Sequence, residues 1–464
     1  MQSMAGKRKT AGLHIIVVGC GKVGYTLVEE LVREGHDLTV VDIQEQVISD
    51  VTDSFDVMGI VGNGGSLQVL QDAGLGEADV LIAVTGQDEL NLLCCTLAKK
   101  VGSSLAAIAR VRNPDYSEEL NYLRKQLGLA MIINPDMEAA REVSRIISRP
   151  RALGVTAFAK GHAELVRFVI PEGNVLHGKR VKDLDHIFAF EFLVCAVLRG
   201  GEVHIPSGAF VLSAGDDISI LSKAKDVHSI FESIGLGGPA AKSCMIVGGG
   251  HSSYYLARRL VNQRMDVKII EKNRDRCKWL MTALPKALVV NGDGSDERVL
   301  LEEGIETRDA FCALTGIDEQ NIMLSLYAGR IPGIKTITKI NRIGFTHVVD
   351  ALGLGSVVYP KHIVAEAIMA YVRARANTVG SNVETLYHLF ENQVEAVEFH
   401  IRADAPLLGI PLMQMKLKDN LLVACINRGG KVFFPRGMDV LEPEDTVVIV
   451  TKHTGFSDVS DILR

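Results

Sequence analysis

The sequence predicts an α/β protein: two tandem Rossmann-like parallel-sheet lobes, each followed by a small α+β lobe. The first observation behind this is self-similarity at an offset of 229 residues: Gly19-Cys20-Gly21-Lys22-Val23-Gly24 returns as Gly248-Gly249-Gly250-His251-Ser252-Ser253, Gly65-Ser66 as Gly294-Ser295, and Arg199-Gly200-Gly201 as Arg428-Gly429-Gly430. Thr85-Gly86 with Asp88-Glu89 and Asn91 returns one residue further on, as Thr315-Gly316 with Asp318-Glu319 and Asn321. A period this long marks a duplicated multi-lobe unit, not a solenoid. The second observation is alternation. Each copy opens with apolar β-runs separated by helical patterns, which implies a parallel sheet with ligand at the carboxyl ends of its strands. The expected bounds are 12–135 and 242–360 for the parallel-sheet lobes, and 151–236 and 380–464 for the small lobes.

In the first lobe, Leu13 to Val18 is an apolar strand, the Gly-rich turn follows at once, and Lys22 to Arg33 is helical. Strand, glycines and helix in that order raise G-x-G-x-x-G above a chance pattern. Gly19 permits the tight turn, Gly21 lets a pyrophosphate approach the backbone, and Gly24 lets the helix pack on the strand. The amides around Cys20, Lys22 and Val23 complete a helix N-terminus, which offers free N–H donors to phosphate. A second strand, Asp37 to Asp42, ends in an acid 18 residues after Gly24. A carboxylate there accepts from both hydroxyls of an adenine-side ribose and repels a 2′-phosphate, which favours NAD, or an adenine nucleotide with a free ribose, over NADP.

The alternation continues in order. Phe55 to Val61 reads as strand three, and Gly62 to Ser66 opens a helix reaching about Ala73. Asp79 to Val84 is strand four, closed by Thr85-Gly86 beside the expected ligand. Asp88 to Val101 is a helix, Leu105 to Val111 is strand five with Arg110 near its end, and Met131 to Ile133 is a sixth strand. Arg110 reads either as a phosphate contact or as an ion pair with nearby acids. Asn63 reads as a turn residue and His14 as a satisfied strand residue. Pro135 opens an amphipathic helix to Ser148, with Met137, Ala140, Val143 and Ile147 on one stripe. Arg141, Arg145 and Arg149 lie on another face, so this is either an ordinary sheet-packing helix with a basic solvated side or a crossover helix docking on a neighbouring lobe. Lys361 to Arg373 repeats the pattern.

From about Arg151 short alternating strands with turn signals replace the parallel pattern: Glu164 to Ile170, Phe192 to Leu198, Val203 to Pro206 and Asp217 to Leu221, closed by a helix at Val227 to Ile234. Asp216-Asp217 reads as a β-turn. Gly235 to Ala241 is the hinge between the halves. In the copy, Gly248 and Gly250 keep the loop, Glu271 keeps the acid, Thr315 keeps the turn after strand four, and Lys339 stands where Arg110 stood. Ser253 replaces the third glycine, and Tyr254-Tyr255 are bulky for a first helical turn. The second site is either a working nucleotide site or a pseudo-site that holds the assembly together. Arg274 reads as a solvated loop residue.

Composition excludes several classes. A net charge of −6 leaves no electrostatic footprint for duplex DNA, and 5% aromatics with a single tryptophan argue against stacking platforms, so no nucleic-acid partner is expected. The eight cysteines form no C-x-x-C pair and no zinc-spaced cluster, which fits a reducing compartment and no metal site. No apolar stretch approaches the roughly 18–20 residues that cross a bilayer. Met1 to Thr10 reads as a solvated tail.

The segments Ala83-Val84-Thr85, Asp88-Glu89, Asn91 and Ala109-Arg110-Val111-Arg112-Asn113-Pro114-Asp115-Tyr116 resemble the RCK (KTN) domains that regulate potassium transport, present here twice and covering about Leu13 to Leu463. The resemblance implies nucleotide contact by Gly19 to Gly24, Asp42, Thr85-Gly86 and Arg110, with NAD(H), ATP or ADP as ligand. It also implies a homo-tetrameric ring in the cytoplasm, peripheral on the inner face of the membrane beneath a potassium-transporting pore subunit, and no catalysis. The rival readings are an NAD-dependent oxidoreductase, which needs a general acid or base beside the nicotinamide, and an assembly scaffold with vestigial nucleotide sites.

Overall fold

Among the described residues four sheets form, a parallel and an antiparallel one in the first half and a copy of each in the second. The computed structural model describes residues 12–464 apart from 103, 117–118, 150, 342–348, 350–351, 377–380 and 391, and the expected solvated tail, Met1 to Thr10, lies outside the described residues. The first parallel sheet comprises β1 (His14–Val18), β2 (Asp37–Asp42), β3 (Met58–Val61), β4 (Val80–Ala83), β5 (Ala106–Arg110) and β6 (Met131–Ile133), in the order β3-β2-β1-β4-β5-β6. Strand three is shorter than Phe55 to Val61, because the helix Glu45–Ser54 runs up to Phe55 and uses it as C-cap. Central β1 is apolar and buried from Ile15 to Val18 because helices cover both faces of a parallel sheet.

The first small lobe holds β7 (Gly154–Phe158), β8 (Ala163–Val169), β9 (Phe192–Arg199), β10 (Glu202–His204) and β11 (Asp217–Lys223), ordered β10-β9-β11-β8-β7. Strand β7 escaped the sequence reading, since its alternation is broken by Gly154 and Ala157. The second parallel sheet repeats the first with β12 (Ser243–Val247), β13 (Asp266–Glu271), β14 (Leu288–Asn291), β15 (Ala310–Ala313), β16 (Lys335–Lys339) and β17 (Ser356–Val358), ordered β14-β13-β12-β15-β16-β17. The second small lobe has β18 (Ser381–Leu389), β19 (Val394–Ile401), β20 (Leu421–Arg428), β21 (Lys431–Phe433) and β22 (Thr446–Thr451), ordered β18-β19-β22-β20-β21. The repeated Arg-Gly-Gly has a structural purpose: Arg199 pairs with buried Asp216, and Arg428 with buried Asp445, in each case through two bonds. Asp217, at the start of β11, is held the same way by Arg167. The pair Asp216-Asp217 is therefore a strand-tying element and not merely a turn.

The crossover helices exchange partners. The helix Pro135–Ile147 leaves the first lobe and buries Val143 and Ile146 against Leu256 and Leu260 of the second parallel-sheet lobe and Val166 and Ile220 of the first small lobe. The helix Pro360–Ala376 does the reverse, joining Val364 and Ile368 to Leu27 of the first lobe and Val397 and Ile449 of the second small lobe. The solvated-basic-face reading of the first crossover helix is thereby set aside in favour of docking. Its arginines take local partners: Arg141 meets Glu138, and Arg149 meets Glu164. The remaining sheet faces of the small lobes pack on each other through Leu165 and Cys195 against Ala396 and Cys425. The eight cysteines are free and buried.

A buried ion cluster fastens one of these exchanges. Arg373, 3% exposed, joins Glu34 of the first lobe (2.5 Å) to Glu395 of the second small lobe (2.9 Å). His388 continues the chain, with Nε2 3.4 Å from Glu395 and Nδ1 3.3 Å from Glu366. Burial disfavours charge on His388, but Glu366 and Glu395 outweigh it and push the ring up to about 10. Burial is likewise outweighed at Glu395, where His388 and Arg373 hold the carboxyl down at about 2.

Two outcomes follow from this cluster. Arg373→Ala removes the cation shared by Glu34 and Glu395, leaving Glu395 only His388, and should lower stability by about 3–5 kcal/mol in denaturant titration; a loss near zero contradicts it. The His388 contribution is fully present below its ordinary value of 6.5 and is lost as pH rises through about 10. The melting-temperature gap between wild type and His388→Gln should therefore shrink from pH 7 to 10, and a gap that widens contradicts the assignment.

Candidate functional site

The carboxyl ends of β1 and β4, at the point where strand order reverses, open on a cavity of about 480 Å³. Its floor is the glycine loop. Gly19 has φ +93°, and a Cβ there would sit 2.7 Å from the Thr85 amide nitrogen, so only glycine lets the loop pass the end of β4. Gly21 caps the helix Lys22–Arg33, and a Cβ on it would meet nothing within 4 Å: its flank belongs to the cavity. Gly24 is buried, and a Cβ on it would lie 2.0 Å from the Gly19 carbonyl oxygen, so this third glycine serves packing.

The acid after β2 is fixed by the main chain. Asp42 accepts from the Cys20 amide (2.9 Å) with one oxygen and from the Gln44 amide (3.0 Å) with the other. Each oxygen retains a further acceptor site. The Cys20 thiol is buried, and burial followed by Asp42 pushes it up to about 12, which leaves it inert. Asn91, fully buried, braces the far side: it accepts from the Thr85 amide (2.8 Å) and hydroxyl (2.7 Å) and donates to the Arg110 carbonyl (2.9 Å).

Of the residues singled out from sequence in this half, Gly19, Gly21, Lys22, Val23, Asp42, Thr85, Gly86 and Arg110 line the cavity, while Cys20 and Gly24 shape the loop beneath it. The Arg110 guanidinium donates to the Thr85 carbonyl and is pulled down to about 10 by burial, then by neighbouring Arg112. The buried Nε atoms of Arg110 and Arg112 have no hydrogen-bond partner among the described residues. Buried donors of this kind call for an acceptor, which an anion or an ordered water supplies. A glycine cradle, an oriented carboxylate and two unsatisfied guanidinium donors together suit a diphosphate-bearing nucleotide. No histidine, serine or cysteine among the described residues lines this cavity, and no group of three His, Cys, Asp or Glu residues among them is placed to hold a metal.

Among the cavity residues not singled out for the site from sequence, five bear on its charge or its walls. Arg112 and Asp136 follow β5 and β6, and strand alternation from Arg110 would have flagged Arg112. Asn341, Pro360 and Lys361 come from the second half. Nothing local in the sequence says that the second crossover helix starts at the first cavity.

The second cavity, about 390 Å³, is lined by Gly248, Gly250, Glu271, Thr315 and Lys339, with no contribution from the first half among the described residues. Gly248 repeats the positive φ at +96°. Glu271 accepts from the Gly249 and Asn273 amides, each at 2.6 Å, in the manner of Asp42. Asn321 repeats the bracing of Thr315, at 2.9 and 2.7 Å. Lys339 donates to the Leu314 carbonyl at 3.0 Å, and burial lowers its pKa. The departures are local. Arg276 donates to the Gly249 carbonyl at 2.5 Å and lies over Trp279 at 4.1 Å. Arg274 is exposed, as its solvated reading requires. The bulky Tyr254 and Tyr255 are buried where the first crossover helix docks, and Tyr255 donates to the Arg112 carbonyl and accepts from Asn134, both at 3.0 Å.

Comparison with known proteins gives the following. The TrkA-N domain family matches residues 15–135 and 244–360, and the TrkA-C domain family matches 165–235 and 396–464. The Trk system potassium uptake protein TrkA of Haemophilus influenzae is 31% identical over 440 residues, covering 94% of this chain and 95% of that one. The TrkA homolog of Archaeoglobus fulgidus is 31% identical over 452 residues, covering 97% of this chain and all of that one, 100%. Among solved structures, the GsuK channel bound to NAD superposes with a TM-score of 0.63 at 16% identity, covering 96% of this chain and 78% of that one. GsuK bound to ADP gives 0.50 at 15% identity, covering 79% and 70%. These two likenesses are of fold.

The glycines make a paired test. Gly24→Ala, with no room against the backbone, should lower the melting temperature by an overpacking cost of about 1–3 kcal/mol. Gly21→Ala should melt as wild type. Equal melting of both variants contradicts the division of labour between the two glycines.

Proposed function

This chain belongs to the TrkA family, with TrkA-N and TrkA-C domains in tandem, and on that footing we propose that it is a regulatory nucleotide-binding subunit that gates a potassium-transporting membrane protein. The observation that carries this reading is that the first cavity is walled by both halves of the chain. A ligand shifts a conformational equilibrium only through different affinity for its two states. A cavity closed by two lobes gives a ligand that difference, because a change in lobe arrangement changes the wall.

In this reading Asp42 receives the adenine-side ribose hydroxyls, the amides of Gly21 to Val23 receive phosphate, and Arg110 and Arg112 donate to it. Thr85-Gly86 limits the floor. The carboxylate position favours NAD(H), with ADP or ATP as ligands that share its adenosine and phosphates. The nucleotide supplies charge and shape, not reactivity. A regulatory role is favoured over an oxidoreductase by the family to which the chain belongs. An assembly scaffold is disfavoured by the unsatisfied guanidinium nitrogens. In the second half Gly248, Gly250, Glu271, Thr315 and Lys339 would form a second nucleotide site. Among the described residues no helix is long and apolar enough to cross a membrane. The proposed assembly is a homo-tetrameric ring on the cytoplasmic face of a membrane-embedded pore subunit.

Calorimetric titration of the full chain with NAD, NADH, ADP and ATP tests the site, and potassium flux with the membrane partner tests the gating. Asp42→Ala and Arg110→Ala should each weaken binding by about tenfold or more, the worth of a charge-assisted hydrogen bond, and blunt the nucleotide response of the flux. An unchanged response in both variants sinks the proposal.

A further inference from the structure

The two halves treat the same position oppositely. Each crossover helix begins with proline followed by a charged residue: Pro135-Asp136 in the first, Pro360-Lys361 in the second. Because the helices exchange, each of these charged residues lands beside the glycine-loop helix of the other half. Asp136 arrives at the first turn of the helix His251–Asn262, where it accepts from the Ser252 hydroxyl and lies 3.9 Å from His251 Nδ1. A carboxylate there takes the place an anion would hold at a helix N-terminus. Lys361 arrives instead at the first cavity, beside the start of the helix Lys22–Arg33, and both Lys22 and Lys361 line it.

The surrounding charge follows suit. Four cationic side chains (Lys22, Arg110, Arg112, Lys361) and two acidic ones (Asp42, Asp136) line the first cavity. Two of each sign, Lys272 and Lys339 with Glu271 and Asp293, line the second. Neither the Lys22 nor the Lys361 ammonium makes a hydrogen bond or ion pair with a described residue. Burial, then Lys22, lowers the Lys361 pKa, so the two ammoniums oppose each other across the mouth. Asp318 and Glu29 offset this only in part. Asp318 is committed to the Asn341 amide at 3.0 Å, and Glu29 lies on the outward side with Arg33 at 3.5 Å.

We propose that Lys22 and Lys361 form a phosphate subsite shared between the two halves of the chain. This rests on the nucleotide-binding reading of the first cavity and adds to it a ligand class and a coupling. The subsite takes the phosphate beyond the α-position: the terminal phosphate of a nucleoside diphosphate or triphosphate, or the second phosphate of a dinucleotide. A phosphate held by Lys22 from one half and Lys361 from the other cancels their repulsion and draws the second crossover helix onto the first lobe.

The test is calorimetric titration of the full chain with AMP, ADP, ATP and NAD, on wild type, Lys361→Ala and Lys361→Arg, with melting curves to establish folding. Lys361→Ala should weaken ADP and ATP by about tenfold or more, the loss of a charge-assisted contact, and AMP by less than about threefold. Lys361→Arg should retain most of the affinity, since it keeps the charge. Loss for NAD together with ADP and ATP identifies the dinucleotide diphosphate as an occupant; loss for ADP and ATP alone identifies the terminal phosphate of a mononucleotide. Wild-type binding of ADP, ATP and NAD that Lys361→Ala leaves unchanged overturns the shared subsite while sparing the nucleotide cradle. Wild type that binds none of the four overturns the cradle and the subsite together. Should Lys361→Ala fail to fold, the arginine variant and the salt dependence of wild-type ADP against AMP decide: equal slopes contradict a second phosphate contact.

Discussion

Everything in this molecule hangs on the exchange of two amphipathic helices. A helix with an apolar stripe must bury it, and most of its stability comes from that burial and not from intrinsic propensity. Here each stripe is buried on the opposite half. Val143 and Ile146 complete a core with the second parallel-sheet lobe, and Val364 and Ile368 complete one with the first. Neither half closes both of its cores without the other. The two halves therefore act as one mechanical unit, and a cavity at the start of a crossover helix is necessarily a cavity between halves.

Duplication set the frame, and divergence gave the halves different work. The loop, the acid and the Thr–Asn brace are kept in both, with Asp42 and Glu271 each bonded to two main-chain amides. The differences lie where the crossover helices land. In the second half Tyr255 stands where the first half has Thr26 and builds a docking surface with Tyr254, Ser252 meets Asp136, and Arg276 reaches the loop carbonyl of Gly249. These side chains trade openness for fixed contacts. The first half keeps Thr26 and an open mouth at the equivalent positions, and collects cations there instead. The buried cluster of Glu34, Arg373, Glu395 and His388 anchors the other end of the second crossover helix. That helix is thus fixed at its carboxyl end and faces the ligand cavity at its amino end, a suitable arrangement for passing on a change of lobe position.

Much of this was legible in the sequence, and for definite reasons. Central parallel strands are buried on both faces, so β1 and β4 announce themselves as continuous apolar runs. Proline at the first helical position and asparagine before it fix the start of Pro135–Ile147 to the residue. The cavity residues that depend on local loop chemistry, Gly19, Gly21, Asp42, Thr85 and Arg110, were visible because strand-turn-helix context constrains them. Edge and short strands were less clear: β7 carries too little alternation, and β3 was overextended into the end of the preceding helix. Asn341 and Lys361 were out of reach, since their place at the first cavity is set by tertiary packing between segments more than 300 residues from the glycine loop. The docking of the crossover helices was one of two readings, because an amphipathic stripe says that a face is buried but not against what.

The most direct measurement is amide hydrogen exchange along the full chain, with and without saturating ADP. Local opening of a helix end is read from its own amides. Those of His362 and Ile363, bonded to the Tyr359 carbonyl, report the first turn of the second crossover helix. Ligand should slow exchange there together with the glycine loop at Gly21 to Gly24, although the two segments belong to different halves. Protection of the glycine loop with no change at His362 to Glu366 would mean that the first cavity acts alone, and would contradict a nucleotide signal carried between the halves.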